Sequence, residues 1–111
     1  MLLMILILIS EDFSDGMKKI KDYDKTVILS TGYMTHTALK VAGNLKNVGV
    51  IDIFRLKPIN YEKLSLLLEN VQNVITLEES TYSGGLGEKI GFFIASSGVH
   101  KRFLPIAVDD Q

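Results

Sequence analysis

Short apolar runs alternate along this chain with segments whose apolar residues recur at helical spacing, and this alternation constrains the fold more than any other feature. Residues 26–30 (TVILS), 48–54 (VGVIDIF) and 74–77 (VITL) are typical of buried strands. Residues 17–21 have modest strand character, and residues 103–108 form a last predicted strand. Strands that alternate with helices predict a parallel α/β sheet covered on both faces, with right-handed crossovers.

Three helices are predicted between these strands, each with its apolar residues on one face. The three predicted stripes are Met34, Ala38, Val41, Ala42 and Leu45; Leu64, Leu67, Leu68 and Val71; and Leu86, Ile90, Phe93 and Ile94. Asn60 is a predicted N-cap, and Gly98 is predicted to end the third helix. Pro105 indicates that the last strand lies at an edge or contains a bulge.

Nine apolar residues in a row (MLLMILILI) open the chain and are followed by a polar, acidic stretch. The run is too short for a membrane-spanning helix, which needs roughly 20 residues. No Lys or Arg precedes it, which disfavours a secretory signal. Such a run is typical of a buried strand or of a buried helical segment. We predict that residues 1–16 are an apolar segment and linker, a remnant of a preceding domain, and that residues 17–111 form the domain itself.

The charge balance and the absence of Cys exclude several classes of function. The 111 residues include 12 Lys and Arg and 13 Asp and Glu, which gives a net charge of −1. This balance argues against nucleic acid and against an anionic membrane surface as partners, because both require a cationic face. Without Cys the chain has no disulfide, no catalytic thiolate and no Cys-based zinc site. A Cys-free chain suits the cytoplasm.

In open α/β sheets, ligands bind beyond the carboxyl ends of the strands. Two glycine-bearing turns follow predicted strands there, and free amides at a helix start can bind an anion. The anion-binding residues predicted on this basis are Thr31, Gly32, Ser83, Gly84, Gly85 and Gly87. For residues 83–87 the alternative is a tight strand-to-helix turn that needs Gly for positive φ. The pattern is neither GxGxxG nor a Walker A loop.

The polar residues near the same edge do not form a recognisable catalytic set. Glu78 and Glu79 could supply a general base, although a carboxylate at a strand end is more often solvated or a helix partner. His36 has no evident carboxylate or Ser partner. Arg55 and Lys57 could hold a phosphate or form a solvated rim. We therefore predict no catalytic residue and no metal ligand in this chain.

Three blocks of sequence, taken together, resemble the transketolase C-terminal domain family. Residues 27–45 (VILSTGYMTHTALKVAGNL), residues 50–60 (VIDIFRLKPIN) and residues 74–90 (VITLEESTYSGGLGEKI) keep the order and spacing of the family. The resemblance begins at Met17 and covers about 95 residues. Asn60 stands where the family usually has Asp, and both residues cap helices.

The resemblance implies a three-layer α/β/α fold with a five-stranded, mostly parallel sheet in the order 1-3-2-4-5. Its first strand would run antiparallel to the others. Strands 2 and 4 would be neighbours whose following helices leave to opposite faces, so that Thr31 and Gly32 flank one crevice together with residues 83–87.

The family includes transketolase, 1-deoxyxylulose-5-phosphate synthase and the β subunits of 2-oxo acid dehydrogenases, which use thiamine diphosphate and a divalent metal. The Gly-Asp-Gly motif for the pyrophosphate and metal is absent from this chain. The resemblance therefore implies a C-terminal domain or split subunit that is inactive alone and binds no cofactor by itself. Its expected partners are the remaining domains or subunit of an oligomeric thiamine enzyme. The alternative is a free-standing regulatory module that binds a phosphometabolite.

Overall fold

Strands and helices alternate through the computed structural model of the chain, which describes residues 16–32, 34–56, 58–79 and 85–108. The elements are β1 (Met17–Lys21), β2 (Thr26–Ser30), α1 (Met34–Gly43), β3 (Val48–Ile53), α2 (Tyr61–Leu67), β4 (Asn73–Glu79), α3 (Leu86–Ser97) and β5 (Arg102–Val108). Their order agrees with the sequence prediction. The largest difference is at α2, which ends at Leu67, so that Leu68 and Val71 of its predicted stripe lie beyond the helix. β4 extends two residues further than predicted and includes Glu78 and Glu79.

The five strands form one mixed sheet in the order β1-β3-β2-β4-β5. β1 pairs antiparallel with β3, and the other pairs are parallel. This arrangement confirms the predicted five-stranded sheet with its first strand reversed. Because β2 and β4 are neighbours in space but not in sequence, the chain reverses its direction of winding between them.

The helices lie on both faces of the sheet, which confirms the three-layer α/β/α architecture. α1 covers one face, where its buried side chains pack on Ile28, Val50 and Leu77. α2 and α3 cover the other face. The core on that side contains Val27, Leu29, Ile51, Ile53, Leu64, Leu68, Val74, Leu86, Ile90 and Ile94. Alternate residues of the central strands therefore face two separate cores, which explains their unbroken hydrophobicity.

The predicted apolar stripe of α1 is wrong at two positions. Met34, Ala38 and Ala42 are buried as predicted, but Val41 and Leu45 are each 48% exposed. The helix ends at Gly43, so Leu45 does not continue its face. The small side chains of Ala38 and Ala42 supply the buried surface of this helix, and Val41 is left outside it.

The residues predicted to begin α2 and to end α3 are found at these positions in the structure. The Asn60 side chain accepts a hydrogen bond from the Lys63 amide at 3.1 Å and caps α2. Gly98 ends α3 with a φ of 73°, a left-handed conformation that favours Gly. Beyond it, the Lys101 ammonium donates to the carbonyls of Leu68 (2.7 Å) and Val71 (2.6 Å), which joins the start of β5 to the end of α2.

β5 is an edge strand, as Pro105 indicated. The register of β5 against β4 continues without a shift through Pro105, so the strand has no bulge there. The Arg102 amide donates to the Gln72 carbonyl, which orients the amides of alternate residues from Arg102 onwards towards β4. The nitrogen of Pro105 therefore points away from the sheet, and no ladder hydrogen bond is lost.

The predicted apolar segment and linker lie outside the described residues, except for Gly16. In the described part of the chain, none of the helices is long and apolar enough to cross a membrane.

Candidate functional site at the carboxyl edge of the sheet

The two turns singled out by the sequence begin on neighbouring strands. Ser30, the last residue of β2, lies in register with Leu77 of β4. Thr31 therefore leaves the sheet at the level of Glu78, one strand spacing of about 4.8 Å away. α1 and α3 then cover opposite faces. This is the topological switch point at which open α/β sheets form ligand crevices.

The turn between β2 and α1 is held by its own backbone. The Met34 amide donates to the Thr31 carbonyl at 3.1 Å, and the Thr35 amide donates to the Gly32 carbonyl at 3.2 Å. Gly32 has a φ of 56°, which side chains rarely tolerate. Gly32 therefore has a conformational role in this turn. A turn with positive φ was the alternative considered for residues 83–87, but Gly85 has a φ of −86°.

The start of α3 is bound by a carboxylate from the same chain. Glu78 Oε1 accepts a hydrogen bond from the Leu86 amide at 3.0 Å, and Oε2 accepts one from the Gly87 amide at 2.6 Å. A negative charge at this position also interacts favourably with the helix dipole. Of the two interpretations of Glu78, the structure supports the helix partner.

The hydrogen bonds of Glu78 are relevant to the predicted anion site, but they do not establish whether an anion binds there. Two amides of the first turn of α3 already donate to Glu78, so an external anion at Gly87 would compete with that carboxylate. Gly85 precedes the helix, whereas Ser83 and Gly84 lie outside the described residues. Anion binding by Thr31, Gly32, Gly85 and Gly87 stays a prediction.

An open depression of about 260 Å³ adjoins the start of α3. It is lined by Glu78, Glu79, Gly85, Gly87, Glu88, Pro105 and Ala107. Three of these residues are acidic, and the described lining includes no cation. The electrostatic potential of this depression therefore disfavours an anionic ligand.

Gly87 packs closely against β4 and against the Glu78 carboxylate. A Cβ atom on Gly87 would lie 2.9 Å from Glu78 Oε2 and 3.4 Å from Thr76 Oγ1. Thr76 is fully buried, and its hydroxyl has no hydrogen-bond partner among the described residues. The first turn of α3 thus lies directly on β4, and Gly at position 87 is what permits this approach.

A polar cluster that was not predicted from the sequence lies at the ends of β2 and β3. The hydroxyls of Ser30 and Thr35 are 2.7 Å apart, and Ser30 is fully buried. Asp52 faces the same side of the sheet, and its Oδ1 has no hydrogen-bond partner in the described part of the chain. Burial raises the pKa of Asp52 above its ordinary value of 3.8, while a hydrogen bond from Thr35 opposes this rise. A single charge in an otherwise apolar strand was the signal available in the sequence.

The remaining polar candidates do not join this cluster. His36 is exposed in the first turn of α1. The backbone amide of Arg55 donates to the Gly16 carbonyl at 3.1 Å, and its side chain points towards Gly16. Lys57 lies outside the described residues. Across the described ranges, no group of three or more His, Asp or Glu residues could hold a metal ion.

Comparison with known families agrees with the fold and with the sequence blocks. The sequence profile described as "Transketolase, C-terminal domain" matches residues 16–111. The chain belongs to the transketolase C-terminal domain family. The family resemblance identified from the sequence is therefore confirmed over the whole described part of the chain.

The curated relatives of this transketolase C-terminal domain include several proteins named 1-deoxy-D-xylulose-5-phosphate synthase. The protein from Neisseria meningitidis serogroup A is 33% identical, with 87% of this chain and 16% of the relative aligned. The protein from Aquifex aeolicus is 31% identical, over 88% of this chain and 18% of the relative. That from Haemophilus influenzae is 31% identical, over 82% and 14%. The chain spans about a sixth of the length of the relatives it matches.

The described residues of this transketolase C-terminal domain do not form a site for the divalent metal that members of the family use. A Mg²⁺ site requires carboxylate or carbonyl oxygens arranged around one point. Glu78, at the carboxyl edge of the sheet, already accepts two amide hydrogen bonds. The chemistry of thiamine diphosphate is accordingly not assigned to any residue described here.

Proposed function

We propose that this chain is the C-terminal domain, or a separate subunit equivalent to it, of a 1-deoxyxylulose-5-phosphate-synthase-like thiamine diphosphate enzyme. Its role is assembly or regulation, and it performs no chemical step by itself. The remaining domains or a partner subunit bind the cofactor and Mg²⁺. The assembled enzyme is a cytoplasmic oligomer that transfers a two-carbon unit in carbohydrate metabolism.

The observation that carries the non-catalytic role in this proposal is the pair of hydrogen bonds that Glu78 accepts from the start of α3. A carboxylate at the switch point is the group most suited to act as a general base there. In this chain both of its oxygens accept hydrogen bonds from the first turn of the helix. Family membership and the names of the relatives then favour a synthase as the parent enzyme.

The rival function, a free-standing module that binds a phosphometabolite, is less well supported. One amide of its predicted site, that of Gly87, already donates to Glu78. The adjoining depression is lined by three Glu residues, which would repel a phosphate. A phosphate that binds the Gly87 amide would have to displace Glu78 from this hydrogen bond, and such displacement costs affinity.

A chimera tests the assembly role. The C-terminal region of the Aquifex aeolicus synthase is replaced by residues 17–111 of this chain, and formation of deoxyxylulose phosphate is measured. We expect the truncated synthase to lose its assembled state and its activity, and the chimera to recover both to within about tenfold, or about 1.4 kcal/mol in activation free energy. Failure of a folded chimera to assemble would contradict the proposal.

The absence of a catalytic role is tested in the same chimera. Thr31→Ala, His36→Ala and Glu79→Gln each remove a polar group near the carboxyl edge. We expect kcat to change by less than about threefold in each, because a general acid or base contributes about 10²–10⁴. A hundredfold loss of kcat at unchanged assembly would show that this domain takes part in the chemistry.

The cofactor and the rival ligand are tested on the full chain by amide NMR. Thiamine diphosphate with Mg²⁺ is titrated first, and inorganic phosphate second. We expect dispersed peaks that do not move in either titration. Saturable shifts at Thr31, Gly32, Gly85 and Gly87 with phosphate would establish the rival site. Shifts with thiamine diphosphate and Mg²⁺ alone would place a cofactor contact in this domain.

A further inference from the structure

An open depression of about 450 Å³ lies at the amino edge of the sheet, at the opposite end of the strands from the crevice. Its lining comprises Gln72, Asn73, His100, Lys101 and Arg102, where β4 and β5 begin. Lys101 and Arg102 are cationic, and the described lining includes no acidic residue. The electrostatic potential of this depression therefore favours an anion.

The end of α2 holds the Lys101 ammonium in place beside this depression. The ammonium donates to the carbonyls of Leu68 and Val71 at 2.7 and 2.6 Å. It has three N–H donors, so one remains for an anion. Burial lowers the pKa of Lys101 below its ordinary value of 10.5, and a bound anion would favour the charged form. Because the cation is positioned before a ligand arrives, less ordering is needed when the ligand binds.

The Arg102 guanidinium and the His100 imidazole supply further donors to the depression. Both side chains are exposed, and neither makes a hydrogen bond or an ion pair with a residue in the described ranges. The N–H groups of a guanidinium match the two oxygens of a carboxylate or phosphate group. An imidazole donates at least one N–H in either protonation state. Three consecutive residues can thus donate to one anionic group.

A second depression, of about 220 Å³, lies between α2 and α3 and shares Lys101 with the first. Its other lining residues are Ser65, Leu68, Glu69, Phe93, Ser97 and Val99. The side chains of Leu68, Phe93 and Val99 give it apolar walls. Sites for drug-sized ligands typically have about 300–1,000 Å³, so this smaller groove suits a short apolar group.

We propose that the two depressions together bind one small amphipathic anion, with its charged head at Lys101 and Arg102 and its apolar body between α2 and α3. We call them the amphipathic site. Because Lys101 belongs to both linings, one molecule can occupy both. Glu69 borders the apolar groove and repels an anion there, so the head lies towards Arg102. This inference does not depend on the enzyme to which the domain belongs.

The chemistry of the head and the need for an apolar body follow from the exposure of the donors. Carboxylates and phosphate esters both accept hydrogen bonds from a guanidinium, so either can serve as the head. Ion pairs with exposed side chains contribute little by themselves. Inorganic phosphate should therefore not bind measurably, whereas removal of the apolar body from water adds the affinity that an amphipathic anion needs.

Amide NMR of the full chain tests the amphipathic site, with hexanoate as the probe. We expect saturable shifts at Val99, Lys101 and Arg102. Binding should be at least about fivefold tighter than that of 1-hexanol, which has the same chain length and no charge. Hexyl phosphate is titrated in parallel. Tighter binding of hexanoate would support a carboxylate head, and tighter binding of hexyl phosphate would support a phosphate ester.

Three results of these titrations would overturn the proposal. One is the absence of saturable shifts with both anions. Another is equal affinity for hexanoate and 1-hexanol, which would show that the cations do not select the ligand. The third is a set of shifts centred on Ile75 and Leu104, which line another depression beside β5.

Two substitutions test the head and the body separately. Arg102→Gln should weaken hexanoate binding at least about fivefold and leave 1-hexanol binding unchanged, because only the anion uses the guanidinium. Lys40→Gln is the matched control, since it removes an exposed positive charge from α1 across the sheet and should change neither affinity. Ser65→Phe fills the apolar groove from an exposed position and should weaken the binding of both ligands. Unchanged hexanoate affinity in either Arg102→Gln or Ser65→Phe would contradict the proposed site.

Discussion

Glu78 Oε2 accepts a hydrogen bond from the Gly87 amide at 2.6 Å, across a loop that separates β4 from α3. The same carboxylate binds the Leu86 amide, so one side chain satisfies two of the donors that a helix start leaves free. A residue in the position of a candidate general base thus acts as a structural cap. The contact joins the central sheet to the helix that borders the crevice.

Loss of this cap should destabilise the domain. We expect Glu78→Gln to lower the free energy of unfolding by about 1 kcal/mol and Glu78→Ala by about 2 kcal/mol, because a charged acceptor of two amides is lost in part or completely. Urea denaturation measures both. Glu88→Gln is the control, since Glu88 is exposed in the first turn of the same helix and should cost only a few tenths of a kcal/mol. Equal losses for Glu78→Gln and Glu88→Gln would refute the capping role.

The buried hydroxyl of Thr76 should make the native state less stable than a valine would. Thr76→Val keeps the shape of the side chain and removes a buried polar group that has no partner in the described residues. We expect a gain of about 1 kcal/mol in unfolding free energy. Thr26→Val is the matched control, because Thr26 Oγ1 accepts a hydrogen bond from Asn73 Nδ2 at 3.0 Å. Thr26→Val should lower the free energy of unfolding by about 0.5–1.5 kcal/mol. Destabilisation by both substitutions would show that the Thr76 hydroxyl is satisfied.

Asp52 should make stability depend on pH. Burial raises its pKa in the folded chain above 3.8, so the native carboxyl keeps its proton to a higher pH than the unfolded one. The contribution of Asp52 to the free energy of unfolding therefore falls as the pH rises from about 3.8 through the raised pKa. Asp52→Asn should be more stable than the parent at pH 7, by less than about 1 kcal/mol because solvent reaches the half-buried side chain.

The stability advantage of Asp52→Asn over the parent should shrink as the pH falls, and it should disappear below about 3.8, where both the folded and the unfolded parent hold the proton. Urea denaturation at a series of pH values measures the difference. Asp24→Asn controls for the loss of one negative charge at an exposed position. Lys18, the register partner of Asp52 on β1, remains unchanged throughout. A greater advantage at low pH than at neutral pH would reverse the assigned direction.

Two glycines should respond oppositely to alanine. A Cβ on Gly49 would collide with the backbone carbonyls of Lys21 and Asp22 and lie 2.7 Å from Tyr23 Cβ. We expect Gly49→Ala to lower the free energy of unfolding by about 3 kcal/mol or more, because the backbone of the β1–β2 turn must move. A Cβ on Gly43, in the last turn of α1, meets no described atom within 4 Å. Gly43→Ala should gain up to about 1 kcal/mol. Thermal unfolding distinguishes the two, and a tolerated Gly49→Ala would contradict the packing described between β3 and the β1–β2 turn.

The alternation of strands and helices was predictable because each element carries its own periodic signal. Asn60 and Gly98 were recognisable for the same reason, since a cap acts within a few residues of its own position. The exposure of Val41 was not predictable, because it depends on how closely α1 approaches the sheet. Small residues, Ala38 and Ala42, determine that approach.

The details of the candidate site depend on contacts between distant parts of the sequence. Ser30 and Asp52 meet because β2 and β3 are paired in one particular register, and no local pattern encodes that register. Glu78 was identified as either a base or a helix partner. The choice required the positions of the Leu86 and Gly87 amides, which depend on how the chain returns from β4 to α3.

The way in which β5 is attached has a consequence for local unfolding. At its start, the Arg102 amide and the Lys101 ammonium donate hydrogen bonds to carbonyls of the α2–β4 connection. Among the described residues, no comparable hydrogen bonds hold the strand near Val108. The strand should therefore fray from its carboxyl end, and amide hydrogens should exchange progressively faster from Leu104 to Val108. β5 would thus separate from β4 at the crevice while its start stays hydrogen-bonded at the opposite edge of the sheet.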